Sequence, residues 1–173
     1  MEHDHPADSA ARHDVLSRYL HGHLIAGASG ERLFEQAAKT WKDSPHAATL
    51  DKLKSAVSSD KKTLEAMATQ LHLSMPAYKK PIAWVGAQLS ALGPLNPFHS
   101  HHAANAQLEL EALIIAVTGK ALLWKTLIVL APTDSRIRRD EVNQLLDRAM
   151  EQIHELETLL LTTVPDRFTA PVP

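Results

Sequence analysis

The segment ELEALIIAVTGKALLWKTLIVLA (109–131) constrains this chain more than any other. It is apolar on almost every side and too long for a buried strand, so it reads as a helix that needs cover around its circumference. It is also long enough to span a bilayer. Four charges, Glu109, Glu111, Lys120 and Lys125, punctuate it. Each costs roughly 2.5–3.5 kcal/mol near a bilayer centre, so the expectation is a buried helix of a soluble bundle and no membrane span. Lys120 sits inside the run. Asp60 and His23 sit in the same way within the apolar stripes of two other predicted helices. A buried charge without a partner costs several kcal/mol, so such positions either pair internally or bind something.

The 173 residues suffice for one domain with a substantial core. The chain is rich in Ala and Leu, poor in aromatics and without cysteine. That balance points to an all-α protein and excludes disulfides, thiolate zinc sites and cysteine catalysis. A formal charge of −2 gives no electrostatic reason to expect nucleic acid. The polar start MEHDHPADSAARHD lacks the apolar core of a signal peptide, so a cytoplasmic location is expected.

Helical spacing of apolar residues predicts four helices, over 13–41, 45–73, 101–131 and 135–164. Residues 1–12 read as a flexible arm and 165–173 as a flexible tail. Leu16, Leu20, His23, Gly27, Phe34, Ala38 and Trp41 share one face of the first helix. It carries three glycines, Gly22, Gly27 and Gly30, of which Gly27 and Gly30 predict close packing of a neighbouring helix rather than a ligand site. Ser44-Pro45 predicts the start of the second helix, with Ser as N-cap and Pro at the first helical position. Val142, Leu145, Leu146, Ala149, Ile153, Leu156 and Leu160 mark the inner face of the fourth. Between the second and third helices lies a long connection, 73–102, in which PIAWVGAQLSAL (81–92) reads as a short amphipathic helix. Such a connection can run back along a bundle, as in ferritin-like folds, where an up-down-up-down bundle needs only a short loop.

Di-iron bundles draw a Glu from each of two helices and Glu-x-x-His from each of the other two. Glu151 and His154 fit that spacing, but at about 100° per residue they point away from the core stripe. The second helix supplies no second copy, since Asp60 is followed by Thr63 and Glu65 by Ala68. Counting back from the first interhelical loop puts Glu31 at the depth of Asp60. A returning connection brings Lys120 to the same level. The expectation is a buried polar cluster of His23, Glu31, Asp60, Glu111 and Lys120, with Lys120 neutralising the acids. A metal set of Glu31, Asp60, Glu111 and His154 is the alternative. Glu109 and Glu111 lie on opposite flanks of the third helix, with Lys125 and Arg32 as candidate partners. The histidines at 3, 5, 13, 99, 101 and 102 lack the acid or cysteine that would complete a tetrahedral zinc set. No nucleophile motif or phosphate-binding loop is present.

The segments RYLHGHLIAGASGERLFEQAA (18–38), SDKKTLEAM (59–67) and LELEALIIAVTGKALLWKTL (108–127) resemble an uncharacterised bacterial ferritin-like four-helix bundle family. The recognisable positions are His23, Gly27, Asp60, Glu109, Glu111, Gly119, Lys120 and Trp124, and the likeness spans most of 14–160. It implies a four-helix bundle and, in the wider superfamily, often a di-iron centre. The departure from the di-iron pattern in the second and fourth helices leaves the bundle fold as the expectation, without a complete di-iron set.

The expected protein is therefore a ferritin-like bundle with a crossover, non-enzymatic, acting as a structural or binding module. No cofactor is favoured. The alternatives are a divergent iron or manganese protein and a bundle that docks a partner through its third helix. The chain is expected to be a monomer, or a homodimer through the third helix or the 73–102 connection.

Overall fold

In the computed structural model, residues 6–73 and 103–169 are described, and these form four α-helices with no strand among them. They are α1 (Pro6–Thr40), α2 (Ala47–Gln70), α3 (Ala103–Leu130) and α4 (Arg139–Phe168). The predicted short helix at 81–92, the histidines at 3, 5, 99, 101 and 102, and tail residues 170–173 lie outside the described residues.

Each helix ends for a local reason, and several ends correct the sequence reading. α1 begins at Pro6, so much of the expected arm is helical. Proline suits this first position because its missing N–H is one the helix leaves unbonded anyway. Ser44 caps the turn rather than the helix. Its Oγ donates to the Trp41 carbonyl at 2.7 Å and accepts the His46 N–H at 3.2 Å, and α2 starts only at Ala47.

At the far end of α2, Leu73 N–H reaches the Ala68 carbonyl at 3.2 Å and His72 N–H that of Thr69 at 3.0 Å. This pair of bonds is a Schellman closure, and it puts His72 at a left-handed φ of 53° where glycine is usual. The closure buries Leu71 and Leu73, and the Arg136 guanidinium bonds the Leu71 carbonyl at 2.8 Å.

α4 starts at Arg139 rather than 135, because the Asp134 carboxylate accepts both the backbone N–H and the Nε–H of Arg136 and holds a turn there. Asp140 and Glu141 then fill the first turn, where the helix dipole favours acids. α4 also runs through Pro165 to Phe168. A proline costs one helical hydrogen bond, and only a single turn follows it here.

α1 packs on α2 and on α3, and α3 packs on α4. Side chains also join α2 to α4, through Lys52–Glu155 and Asp60–Arg148. The short turn at 41–46 makes α1 and α2 antiparallel. Trp41 bonds Glu109 and Tyr19 bonds Thr126, so α1 and α3 are antiparallel too. It follows that α2 and α3 point the same way. The core between them holds Leu20, Leu24, Phe34, Leu50, Leu53, Leu113, Trp124 and Leu156, all essentially fully buried.

α3 uses its apolar surface unevenly. Leu110, Leu113, Val117, Leu123, Trp124 and Leu127 are buried, whereas Leu108, Ile115, Leu122 and Val129 are exposed. It is the one described helix long and apolar enough to cross a membrane by length and composition.

Candidate functional site: a buried ion network beside an apolar cavity

Asp60 is the most buried charged side chain of α2, at 2 % exposure. Both of its oxygens are taken. Oδ2 accepts the Lys120 ammonium at 2.5 Å and the Gln152 amide at 3.1 Å, and Oδ1 accepts the Arg148 guanidinium at 3.0 Å. Lys120 also donates to the Gln152 carbonyl oxygen at 2.5 Å. Three helices thus close a ring around one carboxylate at mid-bundle. Burial pulls the Lys120 pKa below its ordinary value, and the charge of Asp60 opposes that shift. The network has two cations for one acid, and the excess sits on Arg148, which is half exposed and reaches water.

The structure brings Asp60 and Lys120 together and sets His23 on the wall of the same cavity, whereas Glu31 and Glu111 stand elsewhere. Glu31 lies at the right depth on the wrong side. It accepts Ser58 Oγ at 2.6 Å and Lys61 Nζ at 2.8 Å on the α1-facing flank of α2, and these two donors pull its pKa below the usual carboxylate value. Glu111 accepts from Gln107 at 2.9 Å, closer to the start of α3. Glu109, rather than pairing with Lys125 or Arg32, is buried against the Trp41 indole at 2.9 Å. Glu151 and His154 are exposed on α4.

The four candidate metal ligands Glu31, Asp60, Glu111 and His154 therefore do not converge. Among the described residues no three His, Cys, Asp or Glu side chains group as a metal set. The donor chemistry around Asp60 also does not fit a di-iron centre. One carboxylate faces an ammonium, a guanidinium and an amide, and a metal would have to displace the cations to reach its oxygens.

A cavity of about 230 Å³ opens beside this network. Its walls are mostly apolar. α1 contributes His23, Gly27 and Gly30, α2 contributes Val57, Asp60 and Leu64, and α3 contributes Gly119, Lys120 and Trp124. Burial lowers the His23 pKa, which favours neutral imidazole, and its ring stands edge-on to Tyr19 at 4.7 Å. The Trp124 indole nitrogen is buried with no hydrogen-bond partner.

The glycines of α1 divide by position. A methyl on Gly27 would touch Lys61 at 3.7 Å and one on Gly30 would touch Ala116 at 3.8 Å, so both face packed neighbours. One on Gly22 would meet nothing within 4 Å.

Sequence reasoning missed Arg148, Gln152, Ser58 and Lys61. Only Gln152 left a signal, since it falls on the three-and-four spacing Leu145, Ala149, Gln152, Leu156, Leu159 that the structure buries. Neither a family model, nor a curated protein, nor a solved structure matches this chain.

Proposed function

We propose that this chain is a non-enzymatic, ferritin-like bundle in which an internal ion network stands where a di-iron relative would hold metal, and that it serves as a structural or binding module. The carrying observation is the pairing of Lys120 and Arg148 with the two oxygens of Asp60. A carboxylate so engaged is poorly placed to ligate iron or manganese, and it joins three helices at mid-length. The common direction of α2 and α3 supports the ferritin-like topology. The end of α2 and the start of α3 then lie at opposite ends of the bundle, and the chain between Leu73 and Ala103 has to join them. The cavity beside the network supports the binding half of the reading. It is concave and mostly apolar, with a few polar groups converging on it.

The test is metal loading of the untagged full chain. Fe(II) or Mn(II) is added, excess is removed, and bound metal and melting temperature are measured. The expected result is substoichiometric metal and an unchanged melting temperature. One or two tightly held ions with a rise of several degrees would overturn the proposal.

A further inference from the structure

The exposed apolar residues of α3 are not scattered. Leu108, Ile115, Leu122 and Val129 stand seven residues apart, and Ile115 and Val129 are 71 % and 76 % exposed. A strict seven-residue repeat stays in line only along a left-handed supercoil, so this stripe is shaped for a second helix. Small residues flank it on one side, at Ala112, Gly119 and Thr126. Apart from the helix's own backbone, no atom lies within 4 Å of where a Gly119 side chain would begin, so the flank is open at that position, while Thr126 accepts the Tyr19 hydroxyl. The other flank carries Glu111, Thr118 and Lys125, an acid and a base two turns either side of a neutral hydroxyl.

We propose that the partner for this stripe is a second copy of the same chain, paired antiparallel along α3 about a two-fold axis level with Val117. Two independent features select that register. In shape, three of the four large side chains meet small ones: Leu122 faces Ala112 of the partner subunit, Ile115 faces Gly119 of the partner subunit, and Leu108 faces Thr126 of the partner subunit. In charge, Glu111 flanks the seam on the same side as Lys125 of the partner subunit and about 3 Å along the axis from it, within reach of the long lysine side chain, and the two-fold repeats that pair. Gln107 occupies one Glu111 oxygen and the Arg167 charge acts on the same carboxylate, and since a carboxylate accepts several hydrogen bonds an acceptor remains for Lys125 of the partner subunit. A parallel pairing gives neither match. It sets Ile115 on its own copy, leaves a hole at Gly119, and keeps Glu111 two heptads from Lys125.

The test uses the untagged full chain in sedimentation equilibrium over a concentration series. The expected mass is twice that of the 19.0 kDa chain. Ile115→Lys is expected to raise the dimer dissociation constant at least about thirty-fold. Circular dichroism and melting of the dilute variant should stay like those of the wild-type monomer, because Ile115 is exposed. Glu111→Lys alone and Lys125→Glu alone should each weaken the dimer. Combining both changes in one chain, or mixing the two single variants, should restore it. A monomer at every concentration overturns the proposal, and that is the result that cover by residues 74–102 or by lipid would give. A dimer indifferent to Ile115→Lys overturns it as well. A dimer that loses to Ile115→Lys but ignores both charge reversals overturns the antiparallel register.

Discussion

Asp60 and Glu109 are buried to the same extent, 2 % exposed, and the protein deals with them in opposite ways. Asp60 receives three donors, two of them cations. Glu109 receives the neutral Trp41 N–H on one oxygen, and its other oxygen is buried without a partner. Burial accordingly raises the Glu109 pKa, and the Trp41 N–H and the nearby Thr40 side chain oppose the rise only in part. Equal burial thus does not mean equal charge cost. What decides is whether a cation bonds the group: at mid-bundle Lys120 and Arg148 bond Asp60, whereas at the Trp41 corner Arg167 stands over the indole ring and bonds Gln107 instead of Glu109.

The largest effect that tests this contrast comes from Asp60. Asp60→Ala leaves Lys120 buried beside Arg148 with no counter-charge, and removing one member of a buried pair costs about 3–5 kcal/mol. For a chain of this size that lowers the melting temperature by roughly 6–20 °C. Replacing the ring with apolar groups, as Asp60→Leu with Lys120→Met and Gln152→Leu, is expected to recover most of the loss, because no charge or amide then stays buried unpaired. An Asp60→Ala loss below about 1 kcal/mol in urea unfolding would mean that water, not Asp60, compensates Lys120.

Glu109 is expected to respond with the opposite sign. Glu109→Gln removes the poorly compensated charge and keeps an acceptor for Trp41. At neutral pH it should hold or raise stability, by up to about 1 kcal/mol. A clear loss would show that the ionised carboxylate has a stabilising partner after all.

The order of these two effects was partly legible from the residues. Asp60 and Lys120 stood out because each interrupts an apolar stripe. Depth counting put Glu31 at their level. A count along an axis says nothing about direction around it, and Glu31 faces the flank of α2 that carries Ser58 and Lys61. The inner face of α4 is where the apolar spacing puts it, with all seven expected residues in the core or packed against it, but the expectation leaves out Gln152 and Leu159 for a related reason. Choosing apolar residues favoured Ile153 and Leu160, which are half buried, over Gln152 and Leu159, which are buried. A buried glutamine looks like surface until its partners are known. Arg148 left no trace, because a long side chain can enter a network from an exposed position on its helix.

Acid should separate the two carboxylates further. The Glu109 carboxyl holds its proton more tightly in the folded chain than the ordinary value of 4.5 allows in the unfolded one. Between 4.5 and the raised folded value the folded state therefore binds more protons, and stability contributed by this group rises as pH falls through that window. Glu31 has the reverse sign. Its pKa is lowered, so the stability it contributes above 4.5 is lost as pH falls through its folded value. His23 also opposes Glu109: its lowered pKa makes folding lose stability as pH falls through 6.5. The difference in melting temperature between Glu109→Gln and wild type isolates the first group. It should be largest at neutral pH and vanish by about pH 4.5. A difference that grows in acid would reverse the sign assigned to Glu109.

The smallest effect concerns Arg148, the second cation on Asp60. Arg148 is half exposed, so water screens its charge and its long side chain gives up entropy to stay in place. Arg148→Ala leaves Lys120 and Gln152 on Asp60, and the Lys120 ammonium still balances the carboxylate. The expected loss is about 0.2–1 kcal/mol, and it should shrink as salt is raised. Asp60→Ala should keep most of its cost in salt, because the charge it strands on Lys120 is mostly buried. If Arg148→Ala instead cost as much as Asp60→Ala and ignored salt, the guanidinium rather than the ammonium would be the counter-ion that lets α2 bury an acid.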